Sequence, residues 1–506
     1  MKQELQKKNR RKACLLSGLF ALVFGTSFLL ILSKSSPLYP LNDWVDVNCF
    51  FTMGRSMLHG KVLYRDLYEQ KGPVLYFLFA LSALISENSY IGVFLVEVLC
   101  FSLFVFISGR ITSLYTENLF LQTLVMLFTA ALVPLSRSFS HGNSVEELNL
   151  PLLLFSLWQV LKMLKTGKPV SPWGTAGIGA ACAVAFWSKY TVCGFYAGLL
   201  LAVPVLYLMK RIRISAFFLS VLEFLAGFLA VSLGVWIYFV ANGAVMDLYK
   251  VYFYNNITLY PQESEDLLGT VRAGVTGMLG VNLAHLAWGI AAAFVWGFLY
   301  IRRQPGTLLL LVCSFAGLAL TTYMGGRLYS YYGLIFACYV PVGLAGIADL
   351  MGRFLKEETF ALPVLSGSAV VVAVFVSLAA YSYQNGSNVY LMHVAKEDTP
   401  QYSFAEVIRE TENPTLLNYG FLDGGFYYAA GIIPECRYFC TLNIVGTDMW
   451  DVQRAYINEG LADYVVTRYY ELKAYTADSR RYDLVKTATL YFEGRDYTYY
   501  LYKRVR

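Results

Sequence analysis

Apolar residues in this 506-residue chain occur in blocks about 20 residues long, and no other feature limits the possible folds as strongly. A helix of that length spans the hydrocarbon core of a bilayer, which is roughly 30 Å thick. Hydrophobic residues make up 57% of the chain and charged residues 15%. Soluble domains carry more charge, roughly 25%. The sequence therefore predicts an α-helical, multi-pass membrane protein.

About eleven transmembrane helices are expected. The first is predicted to be retained, because its apolar run is longer than a signal-peptide core and Ser33–Pro37 is a poor cleavage sequence. The predicted spans are 13–32, 89–109, 119–136, 146–164, 172–187, 190–209, 216–240, 278–301, 306–323, 329–349 and 361–380.

Lysine and arginine residues mark one side of this arrangement. The N-terminus is basic, and basic residues also follow the fourth, sixth, eighth and tenth predicted helices. Because cytoplasmic loops of membrane proteins are enriched in Lys and Arg, that side is predicted to be the cytoplasm. An odd number of spans then places the C-terminal end outside.

Two domains are predicted: a transmembrane domain over 1–380, with a long first external loop at 33–88, and a soluble extracytoplasmic domain over 381–506. Hydropathy falls after Tyr381, and strand-like and helix-like stretches follow. Together they predict a small α/β domain. The predicted strands are 415–421, 462–468 and a hairpin over 482–504 that turns at Glu493-Gly494; the predicted helices lie near 403–412 and 448–459.

The first external loop holds the densest group of ionisable residues. Charged residues at a membrane face are functional candidates when they point into a cavity. Structural roles compete with that interpretation. Asp43 precedes a helical pattern and is also a candidate N-cap, and Asp66 is also a candidate partner for Arg65. The charged residues of this stretch include Asp43, Asp46, Arg55, Asp66, Glu69 and Lys71.

The same loop resembles a known family. It combines an aspartate soon after the first helix with Gly54, Gly60, Tyr64-Arg65-Asp66 and Lys71-Gly72-Pro73. This pattern resembles the first loop of the GT-C superfamily of membrane glycosyltransferases, in particular the family 39-like group of protein O-mannosyltransferase and aminoarabinose transferase relatives. Relatives often carry Asp-His where this chain has Glu69-Gln70, so these two residues are weak candidates. Segments 141–151, 325–341 and 419–439 are similar to further parts of the bacterial members.

The resemblance implies an enzyme that moves a hexose or pentose from a polyprenyl-phosphate donor to an acceptor hydroxyl outside a bacterial cell membrane. The acceptor is a protein, a lipid or a cell-wall polymer. The lipid phosphate is already a good leaving group, so the chemistry needs one carboxylate to take the acceptor's proton and cations to hold the phosphate. A single displacement of this kind inverts the anomeric centre.

Asp46 is the predicted catalytic base because it lies where the family's first-loop aspartate falls, with Asp43 as the alternative. Lys71 is the predicted phosphate-binding cation, and Arg327 and Lys189 are further candidates. Lys189 has a second interpretation, as the partner of an acidic side chain. The predicted acceptor- or sugar-binding residues are Glu146, Glu147, Asp43 and Asp66.

Other functions and ligands receive less support. The chain has no dense basic stripe of the kind that binds nucleic acid, and the mechanism requires neither a metal nor a cofactor. Cys436 and Cys440 are candidates for a disulfide in an extracytoplasmic domain. Two rival functions remain: a transporter or flippase of lipid-linked sugars, and a non-catalytic scaffold for envelope assembly.

The charge pattern makes a direct prediction of topology. A reporter that is active only outside the cytoplasm should be active when fused after Arg506 and inactive when fused after Lys165, because these positions lie on opposite sides of the membrane. The opposite pattern of activities would contradict the orientation.

Overall fold

The computed structural model describes residues 2–261, 266–354, 364–475, 479–492 and 494–505. Helices dominate it, and a small sheet lies near the C-terminus. The helices are α1 (Lys2–Leu32), α2 (Val45–Leu58), α3 (Pro73–Ile85), α4 (Ile91–Thr112), α5 (Leu119–Leu135), α6 (Val145–Thr166), α7 (Pro172–Ser188), α8 (Cys193–Met209), α9 (Ile214–Ala241), α10 (Val245–Leu248), α11 (Asn256–Thr258), α12 (Leu267–Val281), α13 (Trp288–Leu299), α14 (Gly306–Tyr323), α15 (Val340–Phe354), α16 (Val364–Asn385), α17 (Pro400–Ile408), α18 (Phe426–Ala430) and α19 (Met449–Asn458).

Each predicted span corresponds to a helix. Among the described residues, 8 helices are long and apolar enough to cross a membrane, and the bent pair α12–α13 makes up to 9. The remaining two predicted spans are α5 and α7, each 17 residues long, which is at the short end of the range that spans a bilayer. The prediction of a polytopic helical membrane protein is confirmed. Residues 361–363 of the last predicted span lie outside the described residues.

One predicted helix is built differently. The sequence predicts a single span over 278–301, but α12 begins at Leu267, between two predicted spans. The chain then bends by 86° before Leu283–Leu299. Buried Asn282 lies at the bend. Its Nδ2 donates to the Ser138 Oγ at 2.8 Å and the Met278 carbonyl at 2.8 Å, and its Oδ1 accepts from the Ser138 N–H at 3.2 Å. The Asn282 side chain at the break is therefore hydrogen-bonded within the protein.

The C-terminal sheet confirms the predicted α/β domain. Its strand order is β1-β2-β4-β3, with β1 parallel to β2 and the other two pairs antiparallel. Gly494, at φ +84°, opens the β3–β4 hairpin where the turn was expected, and Glu493 lies outside the described residues. The strands are β1 (Leu416–Asn418), β2 (Tyr464–Arg468), β3 (Tyr482–Phe492) and β4 (Arg495–Arg504).

The chain forms two compact units, each built from separated segments. Unit 1 holds most of the long helices and comprises 1–33, 97–234 and 262–389. Unit 2 joins the segment predicted to be the first external loop, which contains α2 and α3, to the sheet. It comprises 34–96, 235–261 and 390–506. Residues distant in sequence therefore pack in one body within unit 2.

Helices α8 and α14 in unit 1 pack backbone against backbone. A Cβ atom at Gly317 would overlap the Gly194 carbonyl oxygen, and one at Gly198 would overlap the Cys313 carbonyl oxygen. Small residues allow this approach, which supplies the dispersion energy that joins helices in lipid.

Gly317→Val should therefore destabilise the protein, because overpacking a close contact costs roughly 1–3 kcal/mol. Gly234→Val is a matched control, since no described atom lies within 4 Å of a Cβ at that position. We expect a lower apparent melting temperature in detergent for Gly317→Val than for Gly234→Val. Equal melting temperatures would contradict this account of the α8–α14 contact.

Candidate active site

The loop between α2 and α3, residues 59–72, is a closed and internally bonded turn. The Asp66 Oδ2 accepts from the Val62 N–H at 2.7 Å, and its Oδ1 lies 2.9 Å from the Arg65 Nε. The Arg65 guanidinium holds the pKa of the Asp66 carboxyl below its usual value. Arg65 also donates to the Asn242 carbonyl at 2.9 Å. Asp66 was predicted to contact sugar, with pairing to Arg65 as the alternative. The structure shows the pair with Arg65.

The loop ends in a group of four residues that we call the loop cluster: Asp46, Glu69, Lys71 and Tyr76. The Glu69 carboxylate is buried, accepts from the Lys71 backbone N–H at 2.9 Å and is hydrogen-bonded to the Tyr76 hydroxyl. The Tyr64 hydroxyl donates to the Lys71 carbonyl at 2.6 Å. The Lys71 backbone is thus held on both sides while its side chain is only partly buried.

Asp46 lies in the first turn of α2 and is also only partly buried. Burial raises the pKa of Glu69, Lys71 lowers it, and the nearby Asp46 carboxylate raises it again. Asp46 and Lys71 therefore both interact electrostatically with one buried carboxylate. The predicted base and the predicted phosphate cation therefore both lie in the neighbourhood of Glu69.

Helix α3 begins at Pro73, two residues after Lys71. Gly72 is its N-cap without a side-chain hydrogen bond, and Pro73 occupies its first turn. A helix N-terminus carries partial positive charge and exposed N–H groups, so it favours an anion. Lys71 adds a full positive charge beside this end.

Asp43 has a different environment from Asp46. Its Oδ1 lies 2.6 Å from the Lys34 Nζ, and both side chains are 1% exposed. The Lys34 ammonium also lies 4.5 Å from the Phe492 ring centroid. The N-cap of α2 is Trp44, so Asp43 is not the cap. Asp43, a predicted sugar contact and the alternative base, is held in a buried ion pair.

Helix α2 is fixed by the C-terminal segment of unit 2. Buried Asp423 accepts from the Thr52 hydroxyl at 2.6 Å and from the Gly425 N–H at 2.8 Å. The Asn48 side chain of α2 donates to the Asn42 carbonyl at 3.1 Å and is also bonded to the Tyr90 hydroxyl. The helix that carries Asp46 is therefore attached to a carboxylate more than 370 residues away in sequence.

A second group of predicted residues lies in unit 1. The Lys189 Nζ is paired with the Glu146 Oε1 and lies 3.5 Å from the Tyr332 ring centroid. The acidic-partner interpretation of Lys189 is confirmed. The other carboxylate oxygen of Glu146, Oε2, is buried and accepts no hydrogen bond from the described residues.

Glu147 closes the N-terminus of α6. Ser144 caps the helix by accepting from the Glu147 N–H at 3.1 Å, and the Glu147 Oε2 accepts from the Asn143 N–H at 2.7 Å. Glu97 of α4 approaches the same N–H at 3.2 Å and accepts from the Ser33 hydroxyl at 2.7 Å. The Ser-x-x-Glu spacing at 144–147 is the capping-box pattern, so the sequence already carried a signal for this role.

Arg327 lies in the turn between α14 and the 3₁₀ helix Ser330–Tyr339. Its guanidinium donates to the Tyr329 hydroxyl at 3.1 Å, and Gly326 before it adopts φ +77°. Arg327, Lys189, Glu146 and Glu147 thus belong to unit 1, whereas Asp43, Asp46, Asp66 and Lys71 belong to unit 2.

Two residues of unit 2 were not assigned from the sequence. Glu69 was set aside because it departs from the pattern of relatives, yet it lies at the centre of the loop cluster. Asp423 lay in a segment judged only by its likeness to a soluble domain. The sequence feature that could have identified Asp423 is that it is the single carboxylate among the aromatic residues and glycines of 419–426. Within the described residues, no three His, Cys, Asp or Glu side chains are grouped so that they could hold a metal ion.

Comparison with known proteins identifies the fold. The structure of ArnT from Cupriavidus metallidurans bound to undecaprenyl phosphate is similar to this chain, with a TM-score of 0.55 and 13% sequence identity, over 96% of this chain and 97% of that one. The structure of the same protein in the apo state gives a TM-score of 0.53 at 12% identity, over the same shares of the two chains. No family model and no curated protein sequence matches. This likeness shows that the chain shares the fold of these two ArnT structures.

Asp423 makes the stability of the protein depend on pH. Burial raises the pKa of its carboxyl from 3.8 to about 6. Between these two pH values the Asp423 carboxyl is protonated in the folded state and ionised in the unfolded state. The free energy of unfolding is therefore highest below pH ~4, falls as the pH rises and levels off above pH ~6. The loss is on the order of 3 kcal/mol.

The test compares parent and Asp423→Asn by unfolding in detergent from pH ~4 to ~7. The stability of the parent relative to the variant should fall as pH rises and then level off. Glu410→Gln, which removes an exposed carboxylate, gives the background effect of one lost charge. A difference between parent and Asp423→Asn that does not change with pH would contradict the assignment.

Proposed function

We propose that this chain is a membrane glycosyltransferase that moves a hexose or pentose from a polyprenyl-phosphate donor to an extracytoplasmic acceptor hydroxyl. The observation that carries the proposal is the loop cluster. Its buried Glu69 carboxylate accepts from the Lys71 backbone N–H at 2.9 Å, and the nearby Asp46 carboxylate raises the pKa of Glu69. The shared fold supports the choice of donor, because one of the similar structures is bound to undecaprenyl phosphate.

In the proposed reaction, Asp46 takes the proton of the acceptor hydroxyl as its oxygen attacks the anomeric carbon. The bond from that carbon to the phosphate oxygen breaks, and polyprenyl phosphate leaves with the electron pair. Attack from the face opposite the leaving group inverts the anomeric centre. Asp46 suits this role better than Asp43, because Asp43 is buried and paired with Lys34.

Lys71 and the N-terminal end of α3 would hold the phosphate. They offer a full positive charge next to the positive end of a helix, and the leaving phosphate gains charge as the sugar departs. The buried Glu69 carboxylate fixes the backbone of Lys71 and thereby its position. Arg327 is a second candidate cation. Lys189 must first release Glu146 to bind a phosphate, so it is the weaker candidate.

Glu146 is the better proposed contact for acceptor or sugar hydroxyls, because its buried Oε2 accepts no bond from the described residues. Glu147 is engaged in closing the α6 N-terminus, and Asp66 in closing the 62–66 turn. These two residues are proposed to stabilise local structure rather than to contact substrate.

The transporter alternative also has an observation in its favour. The break between α12 and α13 resembles the discontinuous helices of secondary transporters. A transporter moves a lipid-linked sugar without splitting it, whereas the proposed enzyme releases free polyprenyl phosphate. An assay for release of free polyprenyl phosphate by the purified protein distinguishes the two functions.

Asp46→Asn should lower turnover by roughly 10²–10⁴, the usual contribution of a positioned base, because the amide keeps the shape but cannot take a proton. Binding of the donor lipid should persist, since the phosphate contacts are unchanged. Purified protein, a panel of polyprenyl-phosphate sugars and separate assays of binding and transfer provide the measurement. Near-normal transfer by the variant would move the role of base away from Asp46.

Lys71→Met should behave differently, weakening donor binding and also slowing transfer, because the phosphate is held more tightly in the transition state than in the ground state. Lys61→Met is the matched control: Lys61 lies in the same loop, but its ammonium is 2.6 Å from the Glu435 carboxylate. The control should bind donor like the parent. If Lys71→Met and Lys61→Met bind equally well, Lys71 does not hold the phosphate.

A further inference from the structure

Two cysteines far apart in sequence meet inside unit 2. The Cys49 Sγ of α2 lies 3.7 Å from the Cys440 Sγ, across a sequence separation of 391 residues. Each residue is 1% exposed. Cys436, the partner expected for Cys440 from the sequence, is buried nearby, but the close sulfur contact is with Cys49.

The backbone around both sulfurs is held in place. On one side, the Thr52 hydroxyl bonds to Asp423 at 2.6 Å. On the other, the Tyr68 N–H donates to the Arg437 carbonyl at 2.9 Å. Because these contacts bracket the pair, the two thiols stay adjacent without any change of fold. A disulfide requires the two sulfurs to close from 3.7 Å to about 2.05 Å.

We propose that Cys49 and Cys440 are joined by a disulfide in the mature protein. The oxidant is the disulfide of an extracytoplasmic thiol–disulfide oxidoreductase. The Cys49–Cys440 S–S bond forms and two S–H bonds are lost, while the oxidant's S–S bond breaks. The two electrons and the two protons reduce the oxidant's disulfide to a dithiol. This inference rests on the extracytoplasmic location that belongs to the proposed function, since that compartment is oxidising.

The bond should form before unit 2 closes. Burial raises the pKa of both thiols, and the Asp423 and Glu69 carboxylates raise it further. Exchange needs a thiolate that can reach its partner. In the folded protein both thiols are protonated and buried, so the oxidoreductase cannot reach them. Oxidation therefore takes place while α2 and the 436–440 segment are still assembling, and the finished bond resists reduction.

The bridge would act on the proposed active site. Cys49 follows Asp46 by three residues, so the two side chains lie on one side of α2. A covalent link from Cys49 to Cys440 fixes the turn that presents Asp46 to its substrate. Cys49 is therefore a positioning residue in this proposal, because it acts through the helix and not on the reacting atoms.

Trypsin separates the three cysteines of unit 2. Cleavage after lysine and arginine places Cys49 in peptide 35–55, Cys436 in peptide 410–437 and Cys440 in peptide 438–454. Protein expressed in a bacterial membrane is extracted with its free thiols blocked and is digested without reductant. We expect peptide 35–55 linked to peptide 438–454, with Cys436 blocked. Three blocked cysteines, or a link between 410–437 and 438–454, would overturn the proposal.

Variants add a second readout. Cys49→Ser, Cys440→Ser and the double variant should lower the apparent melting temperature equally, because each removes the same bond, and Cys436→Ser is the matched control. Prolonged reduction of unfolded parent protein before refolding should abolish its advantage over Cys49→Ser. If the apparent melting temperature of the parent is unchanged by this treatment, the proposed disulfide is wrong.

These readouts are independent of the transferase reaction. A bridged protein that transfers no sugar would refute the proposed function and leave the disulfide standing. An active protein with both thiols free would refute only the disulfide.

Discussion

Hydrocarbon offers no hydrogen bonds to a backbone, and this constraint governs the rest of the structure. It forces the apolar blocks into helices whose polar groups are bonded internally. Where a helix breaks, at Asn282, a buried side chain supplies the missing bonds. Where helices meet closely, as α8 and α14 do, glycines bring the backbones together. Ionisable groups are expensive in this setting, so those that remain need partners or a function.

The loop cluster shows how such charges are arranged outside the hydrocarbon. Buried Glu69 accepts from the Lys71 N–H at 2.9 Å and holds the start of α3 in place. Asp423 holds α2 through Thr52. Helix α2, which carries Asp46, and helix α3, which follows Lys71, are therefore each fixed by a buried carboxylate. We infer that these two residues position the side chains that act on the donor, while Asp46 and Lys71 remain partly exposed to receive it.

Local features of the sequence predicted much of this fold. Each of the eleven spans predicted from hydropathy corresponds to a helical region of the structure, and the predicted strands correspond to strands of the C-terminal sheet. The bend at Asn282 was missed because hydropathy does not register a hydrogen bond to Ser138, 144 residues away. An acidic partner for Lys189 was predicted, but its identity as Glu146 was not, and the Asp423–Thr52 bond was not predicted at all. The reason is the same: each contact joins side chains whose proximity depends on tertiary packing.

The central claim is that this protein consumes a lipid-linked sugar. The most direct measurement compares lipid extracts of cells that lack the gene with extracts of parent cells and of cells that carry only the Asp46→Asn protein. The account predicts that one polyprenyl-phosphate sugar accumulates in the deletion strain and in the Asp46→Asn strain, and returns to the parent level when the parent gene is restored. Identical polyprenyl-phosphate sugar profiles in all strains would contradict it.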